Sequence, residues 1–200
     1  MKNDELKHFF TRSYRKAKDV LLRQQVDKPI RKMHADLLSS LLPGHATDRT
    51  EKKYWEERGR TAVSDEDVLW RDPRFRTVED KHVSYLLGIC QNKDVLDVGA
   101  GWGRFGIKLR GSYRNYTGLE QSSSMIARGP KSLNLVQGSG DAMPFADASF
   151  DVIFMVICIS SVYRKLFRIY DESIRCLRTN GVFAILEPNV TVIFEKPCTR

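Results

Sequence analysis

The sequence VLDVGAGWGRFG, residues 95–106, places four glycines within eight positions, directly after a short apolar run that carries one aspartate. Glycine costs regular structure about 0.5–1 kcal/mol relative to alanine, so such a cluster is typical of a tight turn or of a ligand that touches bare backbone. We predict a strand at residues 95–98 and a turn at residues 99–103 that leads into a helix. A ligand is expected at this turn.

From residue 93 onward, short apolar runs alternate with helical segments. We expect strands at residues 94–99, 116–120, 133–138, 150–157 and 181–188, and helices at residues 105–110, 122–127 and 163–177. This alternation predicts an α/β fold: a Rossmann-like, mostly parallel sheet with helices on both faces. Residues 190–200 suffice for one more short strand, so the sheet is expected to be shortened at its C-terminal end.

The first part of the chain has a different hydrophobic pattern, which is typical of helices. Apolar residues recur at three- and four-residue spacing within residues 6–21 and 30–41, and a short helix is expected at residues 51–59. A further helix is predicted to begin at Thr77, which stands in capping-box spacing with Asp80. We therefore divide the chain into a helical N-terminal extension and cap, residues 1–80, and a Rossmann-like domain, residues 81–200.

Two overlapping sequence motifs, typical of different ligand classes, match the glycine turn. Residues 101–106 match G-x-G-x-x-G, the dinucleotide fingerprint, but their first glycine follows the strand later than that fingerprint expects. Residues 97–103 match D-x-G-x-G-x-G, a frame that also explains Asp97. This second frame resembles motif I of the class I S-adenosylmethionine-dependent methyltransferases.

Three further blocks follow in the order of that family. YTGLEQS resembles its second strand with a terminal acid, GSGDAMPFADASFDVIF resembles the adenine-side stretch and fourth strand, and IRCLRTNGVFAILEP resembles the helix, turn and fifth strand common in small-molecule methyltransferases. The four blocks lie in order over about half of the chain, residues 95–188. The resemblance implies methyl transfer from S-adenosylmethionine.

Acids at separate strand ends are the main candidate cofactor contacts. Glu120 lies 21 residues after Gly99, which places it at the end of the neighbouring strand, where it can accept from both ribose hydroxyls. Asp141 can accept from the adenine amine, while Asp97 and the Gly99 carbonyl can receive the methionine ammonium. Ala142 and Met143 are expected to offer the ring an amide and an apolar wall. The other candidate contacts in this part of the chain are Ala100, Gly101, Trp102, Gly103, Gln121, Met125, Gly140 and Ile157.

Residues ahead of the sheet contribute further candidates. Tyr54 and Trp55 can face the sulfonium by cation–π attraction, and Arg60 can pair with the methionine carboxylate. Packing of these aromatics on the sheet is an equal alternative. We assign no catalytic residue, and we expect His82, the histidine nearest the sheet in sequence, to lie on a helix surface. We expect no metal site, because the four cysteines are scattered without a C-x-x-C pair.

Charge and composition bear on partners and location. Residues 1–32 carry ten Lys/Arg against four Asp/Glu, so ten minus four gives +6 of the net charge of +8. Such a segment can attract phosphates, although a solvated helix face is an equal explanation. No apolar run reaches the roughly 20 residues of a membrane span. With no signal-peptide pattern and no disulfide framework, we expect a cytoplasmic protein.

We conclude that the chain is expected to transfer a methyl group from S-adenosylmethionine to a small molecule, such as a sugar, a lipid head group or another metabolite. A non-catalytic methyltransferase-like binding or scaffold protein is the alternative, followed by a nicotinamide-dependent oxidoreductase and an RNA methyltransferase. The segment after the fourth strand, MVICISSVY, lacks the proline-rich clamp of base-amino methyltransferases, and only the basic N-terminal segment favours nucleic acid. A homo-oligomer that covers an open sheet edge is also considered.

Overall fold

The fold was obtained as a computed structural model, which describes residues 48–63, 74–187 and 190–196. The helices and strands, numbered in chain order, are α1 (Asp48–Thr61), α2 (Arg74–Ile89), β1 (Asp94–Val98), α3 (Arg104–Lys108), β2 (Asn115–Glu120), α4 (Ser123–Arg128), β3 (Asn134–Gln137), β4 (Phe150–Val156), α5 (Ile159–Val162), a 3-10 turn (Tyr163–Lys165), α6 (Leu166–Cys176), β5 (Leu177–Glu187) and β6 (Val190–Glu195). The helices predicted within residues 1–47, and the basic segment there, lie outside the described residues.

The six strands form one sheet in the order β3-β2-β1-β4-β5-β6. Strands β1 to β5 run parallel, and β6 pairs antiparallel with β5. The predicted α/β, mostly parallel fold is therefore confirmed. The carboxyl ends of β1, β2 and β4 lie along one edge, which is where sheets of this type bind ligands.

Two apolar cores cover the two faces of the sheet, as expected for strands buried on both sides. On one face, α6 contributes Leu166 and Ile169 to a core around Met155 and Phe183. On the other, α2 contributes Leu86 and the helix after β1 contributes Phe105. Helices thus lie on both faces of the sheet, as predicted.

The start of β5 differs from the prediction. A turn was expected between the long helix and a strand starting at residue 181, yet β5 begins at Leu177, directly after α6. The register with β4 steps from Phe150–Leu177 to Val152–Val182, so residues 178–181 form a bulge, with Asn180 at φ 62°. The glycine and asparagine in this stretch are typical of a turn, but they lie in a bulge within the strand.

The amino ends of the strands are joined by an ion-pair network. Asp94 accepts from both sides of the Arg114 guanidinium at 2.9 and 2.6 Å and from Arg178 at 2.8 Å. Asp151 accepts from Arg178 at 3.0 Å and from the Asp94 backbone amide at 2.9 Å. The hydrogen bond from Arg114, followed by those from Asn115 and Arg178, holds the pKa of Asp94 well below its usual range. The bulge in β5 carries Arg178, so this irregularity helps to join four strands.

We predict that Asp94→Asn lowers the free energy of unfolding at pH 7 by about 1–2 kcal/mol, because it removes the charge that Arg114 and Arg178 pair with. The loss is no larger because Arg114 is half exposed and water weakens its ion pair. The folded-state pKa is lowered, so the stabilisation is present above the unfolded-state value near 4 and disappears as pH falls through the folded value. Urea unfolding at pH 7 and at pH 3 measures this difference.

Asp147→Asn is the matched control, because Asp147 pairs with Arg175 but is 77% exposed. We expect it to change stability by less than about 0.5 kcal/mol. An equal loss in both variants, or a loss for Asp94→Asn that is as large at pH 3 as at pH 7, would contradict the network's role.

Candidate functional site

The glycine turn after β1 takes a backbone path that favours glycine. Gly99, Gly101 and Gly103 have φ values of 80°, 57° and 81°. A Cβ built on Gly99 would lie 2.7 Å from the Cys158 sulfur, whereas one built on Gly101 meets nothing within 4 Å. At position 99 a side chain would collide with the Cys158 sulfur, so glycine is needed there for packing. At position 101 the space beside the turn is open.

Glu120, at the end of β2, fastens this turn. Its Oε2 accepts from the Gly101 amide at 3.0 Å and its Oε1 accepts from the Ser122 amide at 2.9 Å. Burial raises the pKa of Glu120 above its ordinary value, although these backbone donors act in the opposite direction. A carboxylate offers roughly four acceptor positions, so capacity remains for further donors.

Asp97 lies beneath the turn and is only 2% exposed. Its Oδ2 accepts from the Tyr116 hydroxyl at 2.8 Å. Burial raises the pKa of Asp97 to about 7, while the Tyr116 hydrogen bond and Arg104 lower it less strongly. A carboxyl that titrates near neutrality in the interior is a feature of functional sites.

Asp141, in the loop after β3, forms an ion pair with Lys165 at 3.2 Å and accepts from the Ser139 hydroxyl. Burial raises its pKa, but the Ser139 and Lys165 contacts outweigh that effect and the pKa is lowered overall. Asp141 is therefore ionised at neutral pH. Lys165 comes from the 3-10 turn after α5, so this contact joins two segments distant in sequence.

The loop after Asp141 is clamped by α6. The Met143 amide donates to Glu172 Oε2 at 2.7 Å. Arg175 donates to the Met143 carbonyl at 3.1 Å and to the Phe145 carbonyl at 2.8 Å. Glu172 lies outside the blocks recognised from the sequence, and Arg175 stands in the fourth block without an assigned role, because both roles depend on contacts across about 30 residues.

The remaining candidates divide by exposure. Ala100, Trp102, Met125 and Met143 are at most 7% exposed and belong to the interior. The others are buried Gly140, half-buried Gln121 and Ile157, and exposed Ala142. Gln121 offers its carbonyl to the Gln137 side chain at 3.2 Å, and Ile157 has φ 55° at the point where the chain leaves β4.

Helix α1 lies against α4, the helix that follows Glu120. Tyr54 is 53% exposed and meets Trp55 edge to face, with ring centroids 5.1 Å apart. The Arg60 guanidinium is 3.2 Å from Glu56 Oε1. Glu56 was not singled out from the sequence, yet it accepts from the Ser122 and Ser123 hydroxyls at 2.8 and 2.9 Å.

His82 corrects a sequence expectation. It was expected on a helix surface, but it is only 6% exposed, with Nε2 3.3 Å from the Glu187 carbonyl oxygen. Burial lowers the pKa of His82, which favours the neutral ring. Glu187, another acid that the motifs did not mark, is 6% exposed at the end of β5.

Cys158 stands after β4, beside the glycine turn. Its thiol donates to the Val156 carbonyl at 3.2 Å, and burial raises its pKa well above the usual range. A thiol in this state is a poor nucleophile. Within the described ranges, no three His, Cys, Asp or Glu side chains are grouped as metal ligands, and no helix there has the length and apolar character needed to cross a membrane.

Comparison with known proteins gives consistent matches. Residues 96–185 match the model of a family described as "Methyltransferase domain". A sterol 24-C-methyltransferase of Gibberella zeae is 31% identical over 131 residues, covering 58% of this chain and 33% of that protein. A demethylmenaquinone methyltransferase of Tropheryma whipplei is 31% identical over 108 residues, covering 51% and 44%. The chain thus spans between a third and a half of the length of these relatives.

A solved structure supports the fold alone. The phosphoethanolamine N-methyltransferase 1 of Haemonchus contortus, in complex with phosphoethanolamine and S-adenosylhomocysteine, superposes with a TM-score of 0.57 at 19% identity. The match covers 71% of this chain and 33% of that chain. The shared architecture is the parallel sheet with its helices.

We predict that Asp97→Asn changes the pH dependence of stability. Because the folded-state pKa is raised, wild-type stability falls as pH rises from the unfolded value near 4 through about 7. Asn removes that titration and keeps an acceptor for the Tyr116 hydroxyl. Between pH 4 and pH 8 the difference in free energy of unfolding should move in favour of the variant by about 2 kcal/mol or more.

Urea unfolding of both proteins at several pH values is the measurement, whatever the offset between them at pH 4. Parallel curves for wild type and Asp97→Asn would show that Asp97 does not hold its proton in the folded protein.

Proposed function

We propose that this chain, whose residues 96–185 match a methyltransferase domain, is a class I methyltransferase that binds S-adenosylmethionine and transfers its methyl group to a small molecule. The observation that carries the proposal is the arrangement around the glycine turn. Glu120 bonds the Gly101 amide beside open space, and Asp97 lies beneath the same turn. Asp141 follows the next strand along this sheet edge.

The residues present fit a cation that carries an adenosine. Glu120 retains acceptor positions beyond those used by Gly101 and Ser122, which suits the two hydroxyls of a ribose. Asp141 can accept from an exocyclic amine, provided that Lys165 yields or shares the carboxylate. Asp97 can balance an ammonium, and such a charge nearby would favour its ionised form.

S-adenosylmethionine would supply a methyl group on a sulfonium, from which the neutral thioether of S-adenosylhomocysteine is an excellent leaving group. The contribution of the chain is then orientation and exclusion of water, which is worth about 7–11 kcal/mol in favourable cases. Trp102, within the turn, and Met125, on α4, are themselves buried. We assign no general base, because His82 is held against the Glu187 carbonyl in the interior.

A small-molecule acceptor is proposed because the relatives with the sterol and demethylmenaquinone names act on small molecules. Nucleic acid stays an alternative that rests on the basic N-terminal segment, which lies outside the described residues. A cytoplasmic location is proposed from the free thiols of Cys90, Cys158 and Cys176. The division at residue 80 and a homo-oligomer through the exposed edge of β6 also stay proposals.

Calorimetry with S-adenosylmethionine, S-adenosylhomocysteine and NAD tests the cofactor assignment. We predict micromolar binding of both adenosyl compounds and none of NAD. Glu120→Ala should weaken S-adenosylhomocysteine binding about 10- to 150-fold, equivalent to about 1.5–3 kcal/mol. Asp171→Ala, which removes an exposed acid on α6, should leave binding unchanged.

Turnover is measured as S-adenosylhomocysteine formed with sterol, quinol and phosphoethanolamine acceptors. Cofactor binding without turnover on any acceptor would favour the non-catalytic scaffold. Preferential binding of NAD, or unaltered affinity in Glu120→Ala, would overturn the assignment.

A further inference from the structure

We infer that Glu56 of helix α1 is a positioning residue for Glu120, acting through Ser122, so that α1 forms part of the cofactor site. This inference rests on the proposed function. It adds a residue that no motif of the methyltransferase domain contains, because Glu56 lies 40 residues before the start of the matched range at residue 96.

The Glu56 carboxylate is surrounded by donors from the start of α4. Oε2 accepts from the Ser122 hydroxyl at 2.8 Å and from the Ser124 amide at 3.4 Å. Oε1 accepts from the Ser123 hydroxyl at 2.9 Å and lies 3.2 Å from Arg60. The Ser122 and Ser123 hydrogen bonds, followed by the smaller effects of Ser124 and Arg60, lower the pKa of Glu56 to about 2. Glu56 is therefore ionised in the folded protein.

Ser122 connects the two acids. Its amide donates to Glu120 Oε1 at 2.9 Å, and its hydroxyl donates to Glu56 Oε2 at 2.8 Å. The same hydroxyl accepts from the Met125 amide at 3.2 Å and so caps α4. Ser122 is fully buried. Because its two donors are fixed by one backbone position, the contact with Glu56 also fixes the amide that orients Glu120.

The rest of the α1–α4 contact prevents Glu56 from shifting independently. Arg128 donates to the Gly59 and Ala62 carbonyls at 3.3 and 2.7 Å, and the Ser124 hydroxyl donates to the Glu56 carbonyl at 2.5 Å. A Cβ built on Gly59 would lie 2.7 Å from the Met125 backbone nitrogen. The two backbones are thus in direct contact, and α1 is seated along its second half.

The consequence is a coupling between α1 and the ribose-binding acid. Ribose hydroxyls need the acceptor positions that Glu120 keeps after bonding Gly101 and Ser122, and their direction depends on the carboxylate plane. Loss of Glu56 removes the ionised acceptor of the Ser122 hydroxyl, leaves it the neutral Ser124 hydroxyl oxygen at 3.0 Å, and so loosens that plane. By linkage, a ligand that uses Glu120 must strengthen the seating of α1 by the same factor.

A double-mutant cycle with S-adenosylhomocysteine tests the inference. We expect Glu56→Ala to weaken binding about 5- to 20-fold in the wild-type background and less than about twofold in the Glu120→Ala background. Glu56→Gln, which keeps an acceptor without the charge, should have an intermediate effect. Glu57→Ala is the matched control, because Glu57 is exposed on the same helix, and it should leave binding unchanged.

Two further readouts separate positioning from general loss of structure. An analogue of S-adenosylhomocysteine that lacks both ribose hydroxyls should bind wild type and Glu56→Ala with equal affinity. Hydrogen exchange of the α1 amides should slow when S-adenosylhomocysteine binds wild type but not when it binds Glu120→Ala. Thermal unfolding identifies any variant that fails to fold, and Glu56→Gln then carries the test.

The outcomes distinguish the two proposals. If wild type does not bind S-adenosylhomocysteine, or if Glu120→Ala binds it normally, the proposed function fails. If Glu120→Ala weakens binding while Glu56→Ala does not, only the positioning role fails. An equal loss for Glu56→Ala in both backgrounds, or with the analogue, would show that Glu56 acts on the fold and not on Glu120.

Discussion

The carboxylate of Glu120 is the contact on which the site depends, because it joins the turn after β1 to the start of α4, beyond the backbone hydrogen bonds from Gly99 and Ala100 to the Leu119 carbonyl. One oxygen accepts from Gly101 after β1, and the other accepts from Ser122 before α4. A turn with three glycines at positive φ has many accessible conformations when unfolded, and a charged acceptor restricts it. The open space beside Gly101 is thereby kept at a fixed distance from an acid.

The two edges of the sheet use acids in opposite ways. At the amino ends, Asp94 and Asp151 are paired with Arg114 and Arg178, and the pKa of each acid is lowered, so ionisation stabilises the fold. At the carboxyl ends, burial raises the pKa of Asp97 and Glu120, so ionisation costs stability there. Such a cost is retained where a group serves binding. At the same edge the pKa of Asp141 is lowered by Ser139 and Lys165, so among these three acids the raised values are confined to Asp97 and Glu120, the two around the glycine turn.

The sequence predicted features that depend on local spacing. The glycine turn, the acid at the end of β2 and the alternating strands and helices all lie within short stretches whose periodicity is readable. The predictions for His82 and for the start of β5 were wrong, because His82 is buried with its ring against the carbonyl of Glu187, 105 residues away, and the Gly and Asn before residue 182 lie in a bulge of β5. Glu56 is separated by 66 residues or more from the serines that it contacts at the start of α4, and no sequence pattern predicts this contact. Contacts between residues so far apart in sequence depend on the fold, and local sequence patterns cannot predict them.

The serine at the start of α4 shows how a cap can take on a second role. Any helix that follows β2 needs an acceptor for its first amides, and Ser122 supplies one to Met125. The hydroxyl still has a proton to donate, and burial without an acceptor would cost about 1–3 kcal/mol. Glu56 provides an ionised acceptor from outside the sheet, which is stronger than the neutral Ser124 hydroxyl oxygen 3.0 Å away. The requirement to satisfy one buried hydroxyl thus gives a reason for α1 to dock beside Glu120, where it can influence the binding of a ligand.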